Sequence, residues 1–214
     1  MTFQSANGDL IGTSAGEPLA GNSGANQIVA GDGNDTVTGN GGADVLYGGR
    51  GNDMLVLNAD NLAQLARSTG NDGQNIARIN GGTGIDTLQL FGSGLDFNLS
   101  GVRRSSIEGI EKIDITGSGN NTLRLGLLDV LNYGDNNLWN AGNTNGVSGE
   151  ALAAIEPRRQ LRLEGDTGDT VIVSDLGNWT RSSNDMLADA NQYGVWNHVS
   201  ARAQLLIDTR VLLA

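Results

Sequence analysis

Residues 12–56 read GTSAGEPLA, GNSGANQIV, AGDGNDTVT, GNGGADVLY and GGRGNDMLV when cut every nine residues from Gly12. The eighth place is Leu19, Ile28, Val37, Leu46 and Leu55, aliphatic in every cut. The fourth is Ala15 and then Gly24, Gly33, Gly42 and Gly51; the sixth is Glu17, Asn26, Asp35, Asp44 and Asp53. Clustered glycine permits positive φ and a tight turn, and the residues after the acid are short and strand-prone. A turn plus a strand in nine residues makes half a coil, so two cuts make one coil of a parallel β-roll. Stacked coils then lie about 4.8 Å apart, with the eighth-place aliphatics packed inward. A flexible Gly/Asn linker would not keep five aliphatics in phase.

In such a roll, residues eighteen apart stand one above the other, and the sixth-place carboxylates face each other. Like charges that close need a cation between them. Carboxylate and backbone carbonyl oxygens at a turn suit Ca2+ better than Mg2+ or zinc. Asp35 with Asp53 offers two carboxylates and ranks first. Glu17 with Asp35 follows, its turn distorted by Ala15 and Pro18. Asn26 with Asp44 carries one charge and ranks as the weaker site. Eighteen beyond Asp44 is Leu62, and eighteen beyond Asp53 is Asn71, so no site is expected at either step. An EF-hand at Asp32 fails, because the glutamate at loop position twelve would be Ala43.

This register resembles the GGxGxDxUx nonapeptide of RTX calcium-binding proteins, closely over Ala30–Thr38, Gly39–Tyr47 and Gly48–Val56. The resemblance implies several bound Ca2+ ions. It adds carbonyl ligands from Ala30, Asp32, Gly49 and Gly51 around the Asp35/Asp53 ion. Gly81–Gln89, GGTGIDTLQ, is a further full match with Asp86 in sixth place. It predicts that the roll restarts after an insertion, with the partner of Asp86 left open.

A narrower likeness lies downstream. Asn80–Leu90, Ser105–Asn132 with its run IEKIDITGSGNNTLRL, LEGDTGDTVIV at Leu163–Val173, GNWT at Gly177–Thr180 and the hairpin-like Tyr193–Thr209 are similar to a module of giant bacterial RTX adhesins. They cover about half of the chain. That resemblance implies export by type I secretion machinery, an extracellular or cell-surface location, and a cell-surface or polysaccharide ligand. Ala201–Ala214 is then either an export signal or the last strand. Met1–Leu10 has neither the charged nor the apolar region of a secretory signal peptide. Two other roles suit the repeats: the non-catalytic calcium module of an exported enzyme, such as an alginate epimerase or serralysin-like protease, and a structural protein of a surface layer.

The predicted architecture is all-β. Residues 1–57 form the calcium-binding parallel β-roll, and 58–214 form a β-rich region with the RTX-like turn at 81–89 and a C-terminal cap. One helix is expected over Asn58–Arg67, where Leu62 and Leu65 have helical spacing and Asn58 or Asp60 can cap. A shorter one is expected over Leu127–Leu131. Strands are expected at Leu95–Leu99, Ile113–Thr116, Thr122–Leu125, Gln160–Leu163, Thr170–Val173 and Ala203–Val211. Tyr133–Arg159, which contains Trp139, reads as a surface insertion.

Composition narrows the chemistry. Aromatics are 4% of 214 residues, which favours narrow layers of small aliphatics over an aromatic-anchored core. There is no cysteine, hence no disulfide, thiolate metal site or cysteine nucleophile. A single histidine, His198, excludes a multi-histidine zinc centre and an HExxH pair. Ser93 and Ser118 lie in GSG, not in a GxSxG elbow. Glu108, Glu111 and Asp114 read as surface charge on a strand edge, and His198 as a hairpin residue. Net charge −11 disfavours a nucleic-acid groove, and no apolar run approaches the roughly 20 residues of a membrane span. The chain reads as a binding module, not an enzyme.

Overall fold

The computed structural model describes residues 3–5, 8–67, 76–136, 138–139, 147–149, 157–183, 185–188 and 190–214. The chain alternates between two parallel stacks from the first repeat onward. One sheet collects Leu10–Ile11, Gln27–Asp32, Val45–Arg50, Arg78–Thr83 and Ile107–Glu108, each parallel to the last. The other collects Pro18–Ala20, Thr36–Thr38, Met54–Leu57, Thr87–Leu90, Lys112–Asp114, Arg159–Glu164 and Ala203–Asp208.

Register follows the eighth-place aliphatics. Leu10, Ile28, Leu46, Ile79 and Ile107 are successive partners in the first sheet. Leu19, Val37, Leu55, Leu88, Ile113, Leu163 and Ile207 are successive partners in the second. All twelve are buried and belong to one hydrophobic cluster. The core is therefore a narrow double file of aliphatics. Burying each of these side chains contributes about 1.5–3 kcal/mol.

Both sheets run on past Leu57. The intervening chain leaves the stack as α1, Ala59–Arg67, which tucks Leu62 and Leu65 onto the core. The Asn58 side chain caps it, accepting the Asp60 and Asn61 N–H groups at 3.0 and 3.1 Å. Arg78 then rejoins opposite Val45, and the GGTGIDTLQ turn stacks directly on the Gly48–Val56 repeat.

A third parallel sheet, Asp96–Asn98, Thr122–Leu125, Thr170–Val173 and Leu212–Leu213, repeats the pattern with Phe97, Leu123, Val171 and Leu213 as partners. The predicted second helix is α2, Leu127–Tyr133. At the far end of the second sheet, Asn191–His198 pairs antiparallel with Ala203–Asp208. That hairpin covers the edge a bare last strand would expose.

Three expectations need correction. Trp139 is not on the surface: it is buried with Met186, Tyr193, Val195 and Leu206, and exchanges hydrogen bonds of 2.9 Å with the Gln160 side chain. Much of the rest of the Tyr133–Arg159 insertion lies outside the described residues. Glu111 and Asp114, read as surface charge, are each 6% exposed. Glu111 turns back onto the Asp86 N–H, and the Asp114 carboxylate accepts hydrogen bonds from the Gln89 and Thr116 side chains, which takes both out of solvent.

Candidate metal centre

The turns that join the two sheets carry the sixth-place residues, always two positions before the inward aliphatic. On one side they make a single row. Asp35 Oδ1 accepts the Glu17 N–H, Asp53 Oδ1 the Asp35 N–H, and Asp86 Oδ1 the Asp53 N–H, at 2.7–2.8 Å. Glu111 Oε2 accepts the Asp86 N–H at 2.9 Å. Each acid thus spends one oxygen on the turn before it. The second oxygen of Asp35, Asp53 and Asp86 is buried and has no hydrogen-bond partner. Among the described residues, none of these three nor Glu111 forms an ion pair.

Backbone oxygens converge on the same places. The Asp53 Oδ2 atom and the Gly81 carbonyl oxygen lie against one spot beside Gly48, which a methyl group there would fill. Asp86 Oδ2 and the Gly109 carbonyl oxygen flank Gly81 in the same manner, and Glu17 Oε1 and the Ala30 carbonyl oxygen flank Gly12. Glycine at these positions keeps room for the oxygens.

Burial pushes the Asp53 carboxyl up, and Asp35 beside it adds to the rise. Burial likewise lifts Asp86 and Glu111 to about 7, with Asp53 repelling the first and Asp86 the second. Buried, mutually repelling carboxylates with an orphaned oxygen each need a counter-charge. An oxygen-rich, sulfur-free and nitrogen-free donor set suits a hard cation such as Ca2+. No three acids or histidines cluster together among the described residues. Carboxylates therefore come in successive pairs, and carbonyl oxygens have to complete the shell.

The turns on the other side of the two sheets are built differently. Asp44 Oδ1 accepts the Asn26 N–H at 2.8 Å, as the eighteen-residue spacing predicts. Its Oδ2, however, accepts a hydrogen bond from Asn61 Nδ2 at 2.8 Å. The same amide nitrogen donates to the Gly42 carbonyl at 3.2 Å, and Asn61 Oδ1 accepts the Gly41 N–H at 3.1 Å. An amide from α1 thus sits where a counter-ion would be needed. Burial still lifts Asp44 to about 6. In the third sheet Asn121 takes the sixth place: its Oδ1 accepts the Leu95 N–H at 2.9 Å, and its Nδ2 donates to the Gly92 and Ile115 carbonyls. Asp169 has both oxygens occupied, by the Asn121 and Asp166 N–H groups.

The structure therefore brings Glu17, Asp35, Asp53 and Asp86 into one row, and Asn26 and Asp44 into another. The Asp32 side chain is half exposed and lies 3.7 Å from Arg50, so only its carbonyl is left to the role the resemblance implies. The Ala30 carbonyl faces the Glu17 turn, while those of Gly49 and Gly51 abut Gly82 and Gly84 of the following turn. Sequence reasoning missed Asn61 and Glu111. Glu111 was visible in one respect: Glu111-x-Ile113 repeats the acid-x-aliphatic spacing of Asp86-x-Leu88.

His198 is built into the hairpin. Nδ1 accepts the Ser200 and Ala201 N–H groups at 3.2 and 2.9 Å, Nε2 lies 3.5 Å from Asp175, and the ring edge meets Trp179. Ser200 Oγ, 3.5 Å from Nδ1, thus faces a nitrogen whose lone pair is already used. No helix of the described residues is long and apolar enough to cross a membrane.

Residues 20–55 match the family model of the RTX calcium-binding nonapeptide repeat, in four copies. No curated protein matches the chain.

Proposed function

We propose, on the premise that this is an RTX repeat protein whose repeats bind calcium, that ion capture drives its folding outside the cell and that it serves as part of a bacterial surface adhesin. The observation that carries the calcium mechanism is the file of buried, unpartnered oxygens on Asp35, Asp53 and Asp86. In a medium poor in calcium these carboxylates repel one another, and a Gly-rich chain of net charge −11 stays open. In millimolar calcium, extracellular-type sites with dissociation constants of about 10⁻⁴–10⁻³ M fill. Binding free energy then becomes folding free energy. Glu17, Asp35, Asp53 and Asp86 supply the carboxylates, and turn carbonyls complete the sites of a parallel β-roll.

Export by type I secretion and the adhesive role rest on the likeness of Ser105–Asn132, Leu163–Val173 and Tyr193–Thr209 to adhesin modules. The chain itself performs no catalysis in this reading; the occupied Nδ1 of His198 supports it. Circular dichroism during a calcium titration, with magnesium as a parallel arm, tests the mechanism. Folding that is complete in chelator, or equally well driven by magnesium, contradicts it. Retention on bacterial surface polysaccharides in calcium but not in chelator tests the adhesive role separately.

A further inference from the structure

The acid row does not end with the nonapeptides. Asp86 is fully buried, and its Oδ2 has no partner. It lies beside the Gly109 carbonyl oxygen, which belongs to the segment IEGIEKI and not to any repeat. Two residues further, Glu111 reaches back to the Asp86 N–H, the bond each earlier acid makes to its predecessor. The next stacked strand carries Leu161, two positions before the inward Leu163, where an acid would stand. Glu111 is thus the last member of the row.

We infer that Asp86, Glu111 and the Gly109 carbonyl form a further binding site for a hard divalent cation of calcium's size, outside the repeat array. It rests on the calcium reading of the row, and uses a glutamate where its neighbours Asp35, Asp53 and Asp86 are aspartates. The longer side chain spans an irregular turn: Asp86 and Glu111 are 25 residues apart, against 18 for Asp35 and Asp53. The site ties the end of the roll to Lys112–Asp114, the strand on which Arg159–Glu164 and the C-terminal hairpin are stacked.

The test is calorimetry of the full chain with calcium chloride, wild type against Glu111→Gln, with carbonyl chemical shifts at Gly109 as a second readout. Glutamine keeps an oxygen for the Asp86 N–H, so the turn is preserved. We expect Glu111→Gln to bind one ion fewer, or to weaken one step about 10- to 100-fold. The Gly109 carbonyl should shift with calcium in the wild type and not in the variant, while the Asp35 and Asp53 turns respond in both. If the wild type takes up no calcium, the calcium reading itself fails. An ion count and affinities both unchanged in Glu111→Gln, or a Gly109 carbonyl indifferent to calcium in the wild type, overturns this site alone. Should Glu111→Gln not fold, the wild-type Gly109 shift decides.

Discussion

Asp53 gives one carboxylate oxygen to the Asp35 N–H at 2.8 Å and keeps the other buried without a partner. The same division recurs at Asp35 and Asp86: one oxygen serves the backbone, and the other is left buried without a hydrogen-bond partner. A carboxylate in this row both sets the register of the preceding turn and waits for a charge.

Asp35 and Asp53 are both interior to the row, since Asp86 and not Asn71 is the upper neighbour of Asp53. Asp35→Asn and Asp53→Asn should each raise the calcium concentration at half-folding, by about 5- to 150-fold for a loss of about 1–3 kcal/mol. Asp44→Asn should leave that midpoint nearly unmoved, because an amide already satisfies it. Equal shifts for all three variants, followed by circular dichroism, would show that the two sides are not distinct.

Asn61→Ala removes the amide from Asp44 Oδ2 and leaves a buried carboxylate oxygen alone. Urea denaturation in saturating calcium should show a loss of about 1–3 kcal/mol. Asn61→Asp should raise the calcium concentration at half-folding above that of the wild type, since it sets a second carboxylate against Asp44. Indifference of both variants would mean that the clamp contributes nothing.

Acid should steady the calcium-free chain. Asp86 and Glu111 titrate near 7 when folded, and Asp44 near 6, whereas unfolded carboxylates release their protons near pH 4. Between about pH 4 and 7 the folded chain therefore holds protons that the unfolded chain has lost, and stability falls as pH rises through that window. In chelator, lowering pH from 8 to 5 should raise the folded fraction followed by circular dichroism. Calcium must displace the same protons, so its midpoint should climb over the same drop. Opposite slopes would rule out buried carboxylates as the ligands.

Gly49 has φ +122° and its Cβ position is filled by the Gly31 carbonyl oxygen. Gly49→Ala should cost about 1–3 kcal/mol from backbone strain alone, before the clash is counted. A thermal melt in saturating calcium that matches the wild type would mean the turns can rearrange.

The double file of aliphatics and the Asp35/Asp53 pairing were legible because the nine-residue period is unbroken from Gly12 to Val56. The partner of Asp86 was not, because α1 and its flanks replace an 18-residue step by one of 33 residues. Counting along the chain then lands on Asn71, while the strands themselves align by Leu55 and Leu88. Asn61 was hidden for a different reason. Its amide reaches Asp44 from a helix, and nothing in the local sequence tells which side of α1 faces the turns. Trp139 misled because an irregular segment says little about what it covers; its pocket is made by strands some fifty residues later.

The detour between Leu57 and Arg78 has a topological consequence. The parallel ladders pass straight from Val45–Arg50 to Arg78–Thr83 and from Met54–Leu57 to Thr87–Leu90, bypassing the detour. The stack is continuous where the chain is not direct. A protease cut on the carboxyl side of the exposed Arg67 would sever the polypeptide while leaving every ladder of the described residues intact. The two fragments should co-migrate through a sizing column in calcium and part company in chelator, so that covalent and structural continuity become separable properties of one molecule.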